Sequence, residues 1–279
     1  MTKHDEPKVE DVEIRLLLEA IYEKYHFDFR EYSGASLKRR LRQALQYYGC
    51  ETFSGLQAKV LHDPATLPRM LNYLTVQVSE MFRDPEYFKS IRTSVIPHLM
   101  TYPSLKVWVA GCSTGEELYS LAILFREEGL ERRTVFYATD INIESLKKAE
   151  QGVYGLERVA LFSENYHKSG GTSSLSDYYT AGYNAAIFNK TLRERVVFSD
   201  HSLVSDEVFA EVQLVSCRNV LIYFDRSLQD RAIRLFKDSL VRNGFLGLGA
   251  KESLRFSSHV LAFTEFSREN RIYQKKGMP

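Results

Sequence analysis

The run Val107-Trp-Val-Ala-Gly-Cys-Ser-Thr-Gly-Glu-Glu117 takes an apolar stretch into a Gly/Ser/Thr turn and then into two adjacent carboxylates. Gly111 and Gly115 allow the backbone a tight turn and a close approach to a ligand. A second apolar stretch, Thr134-Val-Phe-Tyr-Ala-Thr-Asp140, ends in an acid. A glycine-bearing first turn followed by an acid at the next strand end is how doubly wound α/β sheets hold an adenosine and its ribose hydroxyls. The spacing is Gly-x-x-x-Gly, not the dinucleotide Gly-x-Gly-x-x-Gly, and no lysine follows as in a P-loop. Glu116 and Glu117 at the start of the following helix would repel a pyrophosphate. The expected ligand is therefore a nucleoside without phosphates, with positive charge tolerated, and S-adenosylmethionine meets that description.

The elements that must position these groups fall into two blocks. From about 9 to 88 the periodicity is helical, as in Val12, Leu16, Leu17, Ala20, Ile21 and Tyr25. Residues 1–88 are predicted to form a small all-helical domain, joined by a linker reaching about 103. From 104 to 279 strands and helices alternate, which predicts a parallel sheet with helical crossovers and an α/β fold. Strands are expected at 106–110, 135–139, 196–199, 213–216 and 245–249, and helices at 116–128, 143–150 and 228–240. Asn243-Gly244 reads as a turn feeding the fifth strand, and 263–267 with 271–275 as a terminal hairpin. Residues from about 151 to 194 interrupt the alternation and are expected to be a small β-rich insertion.

Composition sets bounds on partners. A formal net charge of +1 gives no bulk attraction to nucleic acid or to an anionic membrane. The three cysteines, Cys50, Cys112 and Cys217, form no Cys-x-x-Cys pair, and the two nearest the sheet read as small buried residues. The seven histidines show no ligand spacing, so no metal is expected. The start of the chain is charged and no apolar run reaches the length of a membrane span, so a cytoplasmic location without membrane insertion is expected.

Four segments together resemble the CheR family, the S-adenosylmethionine-dependent methyltransferases that esterify glutamates on chemoreceptors. They are Val78-Ser-Glu-Met-Phe-Arg-Asp-Pro85, Trp108 to Ala122, Ala138-Thr-Asp-Ile-Asn142 and Cys217-Arg-Asn-Val-Leu-Ile-Tyr-Phe-Asp225. The resemblance implies a helical N-terminal domain followed by a Rossmann-like class I methyltransferase domain with a small β-rich insertion. It implies that Asp140 takes the ribose hydroxyls and that Glu116 or Glu117 faces the cofactor. It places Arg83 beside the cofactor and the reacting centre, with Gln77, Ser79 and Gly111 nearby. Ser202-Leu203 would flank the adenine, and Cys217, Arg218 and Tyr223 would edge the active site. Gln77, Ser79, Ser202 and Gln213 stand where the family usually has Asn, Thr, Asn and an acid.

The implied products are a glutamyl methyl ester and S-adenosylhomocysteine, and the implied partner is the cytoplasmic region of chemoreceptors or related signalling proteins. A glutamate carboxylate, with a pKa near ~4.3, is already ionised at neutral pH and needs no general base. Arg83 and Tyr223 would aim it. In Lys38-Arg-Arg-Leu-Arg42, Arg39 and Arg42 share a helix face, and with Arg40 they form the expected docking surface for acidic receptor helices; a solvated helix face is the plain alternative. Two other functions compete: a non-catalytic regulator that senses S-adenosylmethionine, and a small-molecule methyltransferase of the same fold.

Overall fold

The computed structural model describes residues 8–75, 77 and 79–277. The charged start up to residue 7, and Val78 of the Val78–Pro85 run, lie outside the described residues. The chain divides into two compact units, one of residues up to 76 together with 223–228, the other of 77–222 with 229 onward.

The first unit contains α1 (Val9–Tyr25), α2 (Gly34–Tyr47), α3 (Phe53–His62) and α4 (Thr66–Leu74). Each buries an apolar stripe: Leu17, Leu18 and Ile21 from α1; Leu37, Leu41 and Ala44 from α2; Phe53, Leu56 and Val60 from α3; Leu67, Met70, Leu71 and Leu74 from α4. Thr52 caps α3 by accepting from the Gly55 amide at 3.1 Å. The 223–228 segment joins this unit through Ser33 N donating to Tyr223 O (2.9 Å) and a bridge between Tyr32 and Phe224.

The second unit is built on a seven-stranded sheet in the order β6-β2-β1-β7-β8-β10-β9. Its strands are β1 (Leu105–Ala110), β2 (Thr134–Asp140), β6 (Val196–Asp200), β7 (Val212–Cys217), β8 (Leu240–Leu248), β9 (Phe263–Ser267) and β10 (Ile272–Lys275). β6, β2, β1, β7 and β8 run parallel, while β10 is antiparallel to both neighbours. The centre of the sheet is apolar on both faces, as Val107, Trp108, Val109, Leu214 and Val215 show, which is what helices on both sides require. Crossovers run through α7 (Glu116–Glu127), α8 (Ile143–Gln151) and α10 (Arg226–Ser239). Successive strands step outward from β1 to β2 and β6, then the chain returns to place β7 on the other side of β1. The β1/β7 crevice is thus the topological switch point, where open α/β sheets bind ligands.

Three features differ from the sequence reading. The stretch expected as a linker carries α5 (Pro85–Ser90), a π turn (Ile91–Val95) and α6 (Ile96–Leu99). Tyr87, Phe88, Ile91, Val95, Ile96 and Leu99 lie in the same apolar core as β1 and α7, so burial drives this segment to fold with the sheet. Asn243 is not in a turn between elements. It sits inside β8 at a φ of 61°, beside a register shift against β7, and so marks a bulge. The insertion is only partly β: a three-stranded sheet of β3 (Val153–Gly155), β5 (Ala185–Phe188) and β4 (Tyr179–Gly182) accompanies α9 (Val159–Lys168), which buries Phe162 and Tyr166.

Candidate active site

The carboxyl ends of β1, β2, β6 and β7 bring Gly111, Asp140, Ser202-Leu203 and Cys217-Arg218 to one edge of the sheet. Asp140, 7% exposed, accepts from Ser113 N through Oδ2 (2.8 Å) and from Asn142 N through Oδ1 (2.9 Å). A carboxylate has about four lone-pair sites, so with the Ile141 amide also donating, acceptor capacity remains for a further donor. Burial raises the Asp140 pKa above its ordinary 3.8, and the amides of Asn142, Ser113 and Ile141 oppose that rise. Gly111 at a φ of 68° and Gly115 at 94° form the turn over this acid. A Cβ at Gly111 would come within 2.6 Å of Val220, and one at Gly115 within 2.8 Å of Ala149, so both glycines are sterically required.

The first turn of α7 holds two acids with different surroundings. Glu116 is wholly buried; its Oε1 accepts from Arg158 Nη1 (2.8 Å) and its Oε2 from Thr114 Oγ1 (2.7 Å). Glu117, whose side chain is 14% exposed, accepts from Ser216 Oγ (2.6 Å) and from Arg218 Nη1 (3.3 Å). Arg158 comes from the insertion, and Tyr154 beside it donates to Thr114 O at 2.8 Å. Two insertion side chains therefore grip the glycine turn.

The segment before α5 lies against the same edge. Gln77 Oε1 accepts from Ser113 Oγ (3.4 Å) and from Ser145 Oγ. Ser79 O accepts from Arg158 Nη2. Arg83 is half-buried, and among the described residues its guanidinium has no hydrogen-bond or ion-pair partner. A sheet edge with a buried carboxylate acceptor, acids at a helix start and, in the adjoining segment, an arginine without an ion-pair partner among the described residues has the chemistry to hold a cationic nucleoside and meet an incoming anion.

Comparison with known proteins agrees with that geometry. Residues 77–270 match the family described as CheR methyltransferase, SAM binding domain, and residues 12–75 match CheR methyltransferase, all-alpha domain. The chain belongs to the CheR methyltransferase family. It is similar to Cher3 of Pseudomonas putida, 56% identical over 265 residues that cover 95% of this chain and 97% of that one. A chemotaxis protein methyltransferase of Listeria innocua is 30% identical over 229 residues, covering 81% and 84%. The chemotaxis protein methyltransferase of Salmonella typhimurium is 28% identical over 266 residues, covering 91% and 87%. The chain is accordingly an S-adenosylmethionine-dependent methyltransferase of α/β fold.

Within this CheR framework several expected residues stand differently from their sequence reading. The Cys217 side chain is wholly buried and its thiol is pushed up by that burial, so only its backbone can face a ligand. Ser202 Oγ accepts from the amides of Val204 (3.3 Å) and Ser205 (3.2 Å), which commits it to its own turn. Leu203 is 6% exposed. Arg218 is buried, and its guanidinium donates to Arg83 O, Asp84 and Glu117. Tyr223 groups with the helical unit, where the Arg40 guanidinium lies 5.5 Å from its ring centre. Arg40 is not a docking residue: it is buried, with Nε on Ser36 O (3.2 Å) and Nη1 on Leu74 O, because its α2 position faces the helical core. Arg42 remains exposed but pairs with Glu10 at 2.7 Å, and Arg39 is exposed. Sequence reasoning missed Arg158, Ser216, Asp84 and Glu252, each of which works across a long sequence separation. Asp84 alone had a local signal, the Arg-Asp-Pro that opens α5.

Proposed function

We propose that this chain methylates glutamate side chains on the cytoplasmic region of chemoreceptors or related signalling proteins, giving glutamyl methyl esters and S-adenosylhomocysteine. The observation that carries the proposal is Asp140: a buried carboxylate at the switch point, held by backbone amides of its own turn and of the glycine turn, with acceptor capacity left for a ribose hydroxyl. Glu117, partly exposed, is the better placed of the two α7 acids to face a cationic cofactor; Glu116 is wholly buried against Arg158. Gln77, Ser79, Gly111, Leu203 and the Cys217 backbone complete the proposed cofactor wall.

When bound, S-adenosylmethionine supplies a methyl group already activated by its positive sulfur. The chain's own groups then have to position the acceptor. Well-oriented reactions gain on the order of 7–11 kcal/mol from positioning alone. Arg83 is assigned to aim the incoming carboxylate, with Tyr223 as a second aiming group on the resemblance alone. An orienting contact serves better than a tight ion pair, which would stabilise the ground state and slow attack. Arg39 and Arg42, both exposed on α2, are proposed to meet the receptor's acidic helices.

The test is mass-spectrometric mapping of methyl-glutamates on receptor cytoplasmic fragments after incubation with the enzyme and cofactor. Arg83→Ala should slow their appearance at least ~tenfold, as expected for losing a group that acts only in positioning. Methylation at the wild-type rate would remove Arg83 from the assignment. Gln77 and Ser202, standing where the family usually has Asn, suggest a second reading, a regulator that binds cofactor without transfer; cofactor binding with no methylated receptor would select it.

A further inference from the structure

Arg218 was expected at the edge of the active site, and the surroundings of its side chain point to a particular task there. Its side chain is 1% exposed. Nη2 donates both to Arg83 O (2.8 Å) and to Asp84 Oδ2 (2.8 Å), and Nη1 donates to Glu117 Oε2 (3.3 Å). The guanidinium plane lies 4.1 Å from the centre of the Tyr87 ring. The Tyr87 hydroxyl is 2.8 Å from Ser216 Oγ, which donates onward to Glu117 Oε1 at 2.6 Å. One connected set of buried groups therefore links the segment before α5 to the first turn of α7 and the end of β7.

The segment it holds is strained. Phe82 and Asp84 flank Arg83 at φ values of 51° and 56°, a left-handed conformation that non-glycine residues adopt only when their surroundings impose it. On one side Phe82 is fixed by complete burial and by its amide on Ser120 Oγ (2.8 Å). On the other side the Asp84 carboxylate and the Arg83 carbonyl are fixed by one group, the Arg218 guanidinium. Among the described residues the Arg83 side chain makes no hydrogen bond or ion pair, so this clamped backbone is what fixes where its stem starts.

We propose that the Arg218 side chain is a positioning group that holds the Arg83 kink and so aims the Arg83 guanidinium. The proposal rests on the assignment of Arg83 as the group that orients the incoming carboxylate. A lysine at 218 keeps the charge but has no planar fork, and cannot serve the carbonyl and both carboxylates together.

The experiment compares Arg218→Lys, Arg83→Ala and the double variant in the full chain. It measures kcat for receptor-fragment methylation, the Kd for S-adenosylhomocysteine by calorimetry, and amide exchange of residues 81–88. Arg218→Lys should lower kcat about tenfold, leave Kd within about threefold, and speed exchange in 81–88. The double variant should be no slower than Arg83→Ala, because Arg218 acts through Arg83. Asp84→Ala should change kcat and exchange in the same direction at least about threefold, and its side chain is 44% exposed, so the fold should tolerate the change. A tenfold weaker Kd with little change in kcat would make Arg218 a cofactor contact and overturn the proposal, as would multiplicative losses in the double variant or unchanged exchange. Faster exchange in Arg218→Lys combined with full turnover in Arg83→Ala would instead overturn the role given to Arg83 and leave the backbone clamp standing.

Discussion

Replacing Arg158 with alanine isolates the contact between the insertion and the glycine turn. Glu116 has no side-chain exposure, whereas Arg158 is 34% exposed, so removing the arginine strands a buried carboxylate. Breaking a buried pair by deleting one partner costs roughly 3–5 kcal/mol. Here the exposed end of Arg158 gives water a route to the vacated site, which discounts the figure to about 2 kcal/mol. Arg158 also loses its bond to Ser79 O and its stacking 4.8 Å from the Phe162 ring centre. Glu116→Gln should cost less, about 1 kcal/mol, because Arg158 left alone can turn to solvent. The double variant should be more stable than Arg158→Ala, since it removes the stranded charge. Trp108 is the single tryptophan and is fully buried against the sheet, so its fluorescence during urea unfolding reports this unit. Arg158→Ala within ~0.5 kcal/mol of wild type, or a double variant less stable than Arg158→Ala, would refute the reasoning, given typical surface effects of that size.

Other perturbations follow from the same contacts. Asp140→Asn should weaken S-adenosylhomocysteine binding about 100-fold, the equivalent of ~3 kcal/mol for lost charge-assisted hydrogen bonds; unchanged calorimetric affinity would unseat Asp140 as the ribose acceptor. The Asp140 pKa is raised in the fold, so the stability it lends is full below its ordinary 3.8 and is lost as pH rises through the folded value. Ribose donors favour the ionised form, so affinity for S-adenosylhomocysteine should climb with pH just above 3.8 and level off toward neutrality; a flat profile there contradicts the assignment. Glu252 accepts from the amides of Gly249 (2.6 Å), Asn219 (3.0 Å) and Ile222 (3.3 Å), anchoring the loop that carries Arg218. Glu252→Gln turns an NH2 toward one of those donors and should cost ~1–3 kcal/mol in urea unfolding, whereas a neutral result would show the loop is held elsewhere. Arg39→Glu should raise KM for receptor fragments several-fold and spare cofactor affinity; the reverse pattern would discard α2 as a docking face.

The parts legible in the sequence are those with a local cause. β1 and β2 are runs of apolar residues ending in a glycine turn and an acid, and their order in the chain fixes the crevice where Asp140 sits. α8 announces itself through Asn142, whose side chain caps the amides of Glu144 and Ser145. What stayed hidden depends on distant partners. Nothing near Arg158 or Glu252 in the chain says that one reaches α7 and the other gathers the amides of a loop some thirty residues earlier. Arg40 reads as one more charge in a basic run until α2 turns it into the helical core. The helix from Pro85 to Leu99 hides its purpose similarly, because its apolar residues acquire meaning only when β1 and α7 cover them.

Radiolabelled methyl transfer to chemoreceptor cytoplasmic fragments tests the central claim most directly. Label is expected to appear on the receptor, to leave as volatile methanol in mild base, and to depend on Arg83. Cofactor bound in the cleft with no base-labile label on any receptor fragment would contradict that claim.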